Sequence, residues 1–260
     1  MIRAGIGGWN FPEWRGTFYP KGHPQAKELD YASRVLTSIE INGTFYRTPS
    51  AETFVKWAAE VPDGFVFTVK GPMSVVGKGV LAETGPALEK FFASGVLGMG
   101  DRLGAFFWQF MPAKKFDPKD VEAFFKMLPK EVKGRKLRHA VEARHATFAV
   151  PEFVELARAY GVAVVLVDSE KHPLIADPTS DFMYLRLQRT QEKVPTGYKP
   201  AEIKTWGARA KAWEAGGVAD DLPLLGKKPA KAKRDVFVYF ISGAKVRAPA
   251  AAQAFIKEVG

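Results

Sequence analysis

"S-I-E-I-N-G-T-F-Y-R-T-P-S", Ser38 to Ser50, contains a whole strand-to-helix turn, and the fold is decided by how it is read. Ile39 and Ile41 alternate with Glu40 and Asn42, so the apolar pair and the polar pair point to opposite faces of a strand. A glycine and two aromatics follow, and Thr48-Pro49 then reads as the start of a helix that ends before Pro62. A carboxylate inside a hydrophobic strand costs several kcal/mol unless it is paired, hydrogen-bonded or wet. Glu40 therefore belongs at a strand end that opens into a polar, water-filled cup, where it is wet or paired.

The same unit recurs along the chain. Strands are predicted at Ile2–Gly7, Leu36–Asn42, Phe65–Lys70, Leu103–Phe110, His139–Arg144, Ala163–Asp168, Phe182–Leu187 and Val236–Ile241. Several are near-continuously apolar, as parallel strands covered on both faces are. Helices fall between them with clear punctuation. Asp117-Pro118 opens one, Pro129 stops it, and Pro151 to Gly161 bounds another. Others are predicted near Pro86, over Lys199–Gly216 and over Pro249–Val259, whereas the stretch after the sixth strand reads mostly as loop. Alternating strands and helices imply a parallel sheet, open or closed. Neither a strand–GxGxxG–helix unit nor a Walker pattern is present, which removes the main support for an open nucleotide-binding sheet. The expected fold is a single (β/α)8 TIM barrel over residues 1–260, with a basic loop at 226–234 before the last strand.

Such barrels build their sites at the mouth formed by the strand C-termini. The polar residues collect there: Glu40 and Asn42, Lys70, Gln109, Glu142 with Arg144 and His145, Asp168, then Arg186 with Gln188. Trp9 and Tyr46, with Trp14 and Phe45, lie in the loops after the first two strands, where aromatics form a stacking wall or pack beneath the loops. Three carboxylates against Arg144, Arg186 and Lys70 also fit a neutral plug of ion pairs closing the barrel.

Composition narrows the chemistry. With no cysteine among 260 residues, thiolate nucleophiles, iron–sulfur clusters and Cys-ligated zinc are excluded. No stretch approaches the roughly 20 apolar residues of a membrane span, and no signal core follows Met1, so a cytoplasmic location without membrane contact is expected. Half of the formal charge of +10 sits in "G-K-K-P-A-K-A-K-R", Gly226 to Arg234, which reads as a mobile, solvated loop or as a contact for phosphate backbones.

Six segments together carry a resemblance: "G-W-N-F-P-E-W-R-G-T-F-Y-P", "S-I-E-I-N-G-T-F-Y-R-T-P", "F-V-F-T-V-K", "W-Q-F-M-P", "A-V-E-A-R-H" and "F-M-Y-L-R-L". In this order they resemble the signatures of the domain-of-unknown-function 72 family, the YecE-like proteins, over essentially the whole chain. The resemblance implies a TIM barrel and no established reaction. The chain departs from the family pattern at Gln188, at Ser242 and at Ala251, and it lacks the Thr-His pair expected after the third strand.

Two functions are expected to compete. In the first, Arg144, Arg186 and Lys70 hold a phosphorylated or otherwise anionic small molecule, or a nucleic-acid end, with Asn42, Gln109, Trp9, Tyr46 and His145 around it. Glu142 or Asp168 then serves as general acid or base, and Glu40 orients a hydroxyl or an arginine. Three interleaved cations compete for those carboxylates, so neither a metal nor a cofactor is expected. In the second, the 226–234 loop makes the chain a non-enzymatic nucleic-acid-binding protein. The oligomeric state is left open.

Overall fold

The computed structural model describes residues 1–77 and 79–260. Its centre is a closed, all-parallel barrel of β1 (Ile2–Gly7), β2 (Ser38–Ile41), β3 (Val66–Lys70), β4 (Leu103–Gln109), β5 (His139–Glu142), β6 (Ala163–Asp168), β7 (Phe182–Leu187) and β8 (Asp235–Phe240). Each strand pairs with its neighbours in sequence, and β8 closes on β1 with Ala4 opposite Val238 and Ile6 opposite Phe240. All eight predicted strands are there, each within two residues of its expected bounds.

Around the barrel lie α1 (Glu28–Val35), α2 (Ala51–Glu60), α3 (Gly85–Phe92), α4 (Pro118–Met127), α5 (Pro151–Tyr160), α6 (Pro200–Glu214) and α7 (Ala248–Val259). Asp117 caps α4 as expected, its side chain accepting from the Lys119 and Asp120 amides. Gly161 closes α5 at φ 67°, a left-handed turn that glycine takes without strain. The entry to α2 is corrected: Ser50 is the N-cap, accepting from the Thr53 amide, and Thr48-Pro49 precede it in the loop. Elements that were not predicted include α1, a single helical turn at Met73–Val76, and a hairpin of two-residue strands, Glu131–Val132 and Arg135–Lys136. Residues 169–181, all described, contain no helix. This loop is pinned instead by Thr179, whose hydroxyl donates to the Val162 carbonyl and accepts from the Val164 amide.

Strand alternation produces two apolar layers. One face of every strand, with Ile39, Ile41, Phe67, Phe106, Trp108, Leu166 and Phe240, meets the helices. The other fills the barrel with Val66, Phe107, Val165, Phe182, Tyr184, Phe237 and Tyr239, as packed layers rather than a pore. The polar members of this interior are hydrogen-bonded to one another. Tyr239 OH lies 2.6 Å from Ser38 Oγ, which donates onward to the Val66 carbonyl, and Thr68 Oγ1 lies 2.8 Å from Tyr184 OH.

The basic loop enters β8 at its N-terminal end, so it lies at the face opposite the mouth. It is tied to the fold at several points. Asp177 accepts from the Leu225 and Gly226 amides, Arg158 donates to the Lys227 carbonyl, and Arg234 turns inward onto the Gly217 and Ala230 carbonyls. Lys227, Lys228, Lys231 and Lys233 are exposed on this anchored segment. No helix among the described residues is long and apolar enough to cross a membrane.

Candidate functional site

At the C-terminal ends of the strands, residues far apart in sequence form one ion-pair cluster with Arg186 at its centre. Arg186 on β7 donates through Nη1 to Glu142 Oε2 at 2.5 Å and through Nη2 to Glu40 Oε1 at 3.1 Å. The second oxygen of Glu40 accepts from Tyr184 OH at 2.6 Å. The second oxygen of Glu142 accepts from Gln109 Nε2 at 2.8 Å and from Arg144 Nε at 2.5 Å. Gln109 presents its remaining oxygen to Lys70 Nζ at 2.8 Å. A continuous chain thus runs from Lys70 through Gln109, Glu142 and Arg186 to Glu40 and Tyr184.

The floor of this arrangement is dry. Glu40 and Glu142 are completely buried and Arg186 nearly so, with the guanidinium 4.6 Å from the Phe107 ring centroid. At this depth the expected water-filled cup is dry, and of the two states expected for Glu40, paired or wet, it takes the paired one. Water reaches the upper part, where the Arg144 side chain is 23% exposed, Lys70 is 8% exposed and Gln109 is largely covered. Glycine makes part of this room, because a Cβ on Gly7 would come within 2.7 Å of Asn42 Nδ2. Asn42, half-buried at the end of β2, lies on the inward face with Glu40.

Electrostatics follow from that packing. Burial alone would push the Glu142 carboxyl up, but Arg186 and Arg144 override it and hold it at about 2. Burial would likewise discharge Arg186, and the two carboxylates keep it firmly charged. Lys70 has no such protection. Burial, then Arg186 nearby, lowers its ammonium to about 8. Among the described residues Lys70 forms no ion pair; its Nζ meets Gln109, the face of Phe45 4.3 Å from the ring centroid, and more distantly the ring of Phe107 at 5.8 Å. Two carboxylates against Arg186, Arg144 and Lys70 leave this group with a surplus positive charge. Every oxygen of Glu40 and Glu142 already accepts from the protein, and no group of three or more metal-ligating side chains occurs among the described residues.

The remaining sequence candidates are placed elsewhere. On β6 the inward residues are Ala163, Val165 and Val167, so Asp168 has the opposite parity. It accepts from Tyr198 OH at 3.0 Å and lies 3.7 Å from Arg189, and burial raises its pKa despite both. Trp9 packs edge-on against Trp57 at 5.1 Å, beneath α2 rather than in the cup, and Trp14 is buried with its indole N–H on the Lys245 carbonyl. His145 turns to the Thr147 amide and hydroxyl. Of the four loop aromatics, Phe45 covers Lys70 and Tyr46, 83% exposed, stands at the rim. Sequence reading passed over Tyr184 and Thr68, although each sits two residues before a selected one, Arg186 and Lys70, and so shares its inward face. His172, in the loop after β6, has its Nδ1 buried without a partner, and its pKa is lowered by burial and then by Arg144.

The sequence model of the family described as "Protein of unknown function DUF72" matches residues 3–260. The chain belongs to this family. It is 27% identical over 203 residues to the UPF0759 protein YecE of Escherichia coli, in both strain K12 and O157:H7, covering 75% of this chain and 68% of those proteins. A crystal structure of a DUF72 family protein from Thermotoga maritima MSB8 superposes with a TM-score of 0.75 at 24% identity, covering 99% of this chain and 98% of that one. One from Enterococcus faecalis V583 gives 0.70 at 17% identity, over 100% and 95% of the two chains. These likenesses extend the DUF72 barrel to this chain and carry no reaction with them. One departure from the family pattern has a visible setting: Ser242 sits at φ 69°, where asparagine is favoured among non-glycine residues.

Proposed function

We propose that the C-terminal mouth binds a phosphorylated or otherwise anionic small molecule through Lys70 and Arg144. One observation carries this: Lys70 is a largely buried ammonium with no carboxylate partner among the described residues. A buried lysine in that position costs stability unless a ligand supplies the missing charge. Arg144 contributes its Nη groups, which make no hydrogen bond to the described residues while its Nε is held by Glu142. Arg186, expected to share in holding the anion, instead spends both Nη groups on the two glutamates and serves as the rigid floor. Glu142, held ionised at about 2, acts as a positioning group and makes a weak general base. Phe45 lies over Lys70 as a cover that shifts when ligand enters.

The nucleic-acid reading draws on a different face, since the four exposed lysines of the 226–234 loop lie at the other end of the barrel. A thermal-shift panel of sugar phosphates and nucleotides separates the two. The anion reading expects a rise in melting temperature that is lost in Lys70→Met and kept when the loop lysines become glutamine. The opposite pattern, with binding that collapses as salt is raised, transfers the function to the loop. No response to any phosphorylated compound overturns the anion reading.

A further inference from the structure

We propose a second anion site at the N-terminal end of the barrel, built around Arg3 and suited to a compact polyanion such as a diphosphate group. A cavity of about 520 Å³ opens there, within the size range of small-molecule sites. Arg3, Lys133, Arg135 and Arg138 line it, together with Asp235 and the ring of Phe237. Its carboxylates are already committed at the rim. Asp101 takes Arg135 at 2.7 Å, and Asp235 takes Arg138 at 2.6 Å and the Met1 amino group at 3.0 Å.

Arg3 is treated differently from its neighbours. It occupies an inward-facing position on β1, opposite Phe237 in register, with its guanidinium carbon 5.9 Å from that ring centroid. Its Nε is buried without a hydrogen-bond partner, and Arg3 forms no ion pair among the described residues. An arginine that merely plugged the barrel would be expected to carry a carboxylate, as Arg135 and Arg138 do. An unmade bond at a buried N–H is costly, and a planar fork facing a cavity is the geometry that takes a phosphate oxygen pair.

Two backbone features shape the same cavity. The β3–β4 register shifts between Phe67 and Thr68, so that Gly104 is an extra residue, a bulge of the kind that re-aims side chains at sites. The hairpin turn Lys133-Gly134 has both residues at positive φ, 50° and 77°. That turn favours asparagine at its first position, yet it carries a lysine that is exposed and forms no ion pair among the described residues.

The test is a calorimetric titration of the full chain with inorganic pyrophosphate, run in the Lys70→Met background so that the mouth does not contribute. Binding is expected to persist there, to weaken about tenfold on adding Arg3→Gln and about threefold on adding Lys133→Gln. Absence of binding in Lys70→Met, or affinity unchanged by both added substitutions, overturns the proposal. Should Arg3→Gln fail to fold, Lys133→Gln, which changes an exposed side chain, decides alone. The reading of the mouth fails separately, when a sugar phosphate that raises the melting temperature of Arg3→Gln raises it equally in the double variant Arg3→Gln, Lys70→Met.

Discussion

The two ends of the barrel use the same residue types in opposite ways. At the mouth one arginine serves two carboxylates, and one of those carboxylates takes three donors: Gln109, Arg144 and Arg186. At the N-terminal end the pairs are more exposed and tie the hairpin strand to neighbouring segments, Arg135 to Asp101 and Lys136 to Asp181. Burial makes the difference. A carboxylate withdrawn from water needs several donors to offset its desolvation, whereas a rim pair needs one and contributes little. Each end leaves a cation over, Lys70 above and Arg3 below, and these leftovers point to ligands better than the paired charges do.

The contrast breaks most visibly at Arg186. Changing Arg186→Met leaves the buried Glu40 without a cation and Glu142 with Arg144 alone, and is expected to cost about 3–5 kcal/mol in urea denaturation. Arg135→Met at the other end is expected to cost less than about 1 kcal/mol. Equal costs would erase the distinction.

Acid titration sharpens it next. The folded pKa of Glu142 lies at about 2, below its ordinary 4.5, so its stabilisation is fully present above about pH 4.5 and is lost as pH falls through about 2. Denaturation of wild type and Glu142→Gln across that window should show their difference shrinking by roughly 3 kcal/mol on acidification. A constant difference contradicts the pairing.

Lys70 carries the opposite sign. Its folded pKa of about 8 lies below the ordinary 10.5, so between those values the unfolded chain binds more protons and stability rises with pH. Lys70→Met is therefore expected to be as stable as wild type at pH 7 or more stable, by up to about 3 kcal/mol, and to lose that alkaline rise. Marked destabilisation would make Lys70 a structural cation. The smallest effect belongs to the basic loop: changing Lys227, Lys228, Lys231 and Lys233 to glutamine should move stability by no more than about 0.5 kcal/mol per residue.

The fold was legible because strands covered on both faces advertise themselves by continuous apolar runs, and proline and glycine mark the helix ends. α1 escaped because the segment before it, Pro12 to Lys27, is a loop of aromatics and short turns that blurs the 3.6-residue pattern. The Glu40–Glu142–Arg186 core of the site followed from period-two alternation at strand ends. The same rule, applied from Val165 and Val167, turns Asp168 away from the cup, and applied backward from Arg186 it reaches Tyr184. What alternation does not carry is the division of labour within the cluster. Which of three cations is spent on two carboxylates depends on side-chain reach and burial, and these come from loops such as Gly43–Phe45 that set Phe45 over Lys70.

The central claim is that Lys70 is the charge awaiting an anion. Calorimetric titration of wild type with the phosphorylated compound that gives the largest thermal shift, at pH 7 and at pH 9, tests it most directly. Affinity should fall about tenfold across that interval as Lys70 loses its proton, and Lys70→Met should show weak binding with no such dependence. Binding that is equally tight at both pH values, or that is as tight in the double variant Lys70→Met, Arg3→Gln as in the wild type, contradicts the account.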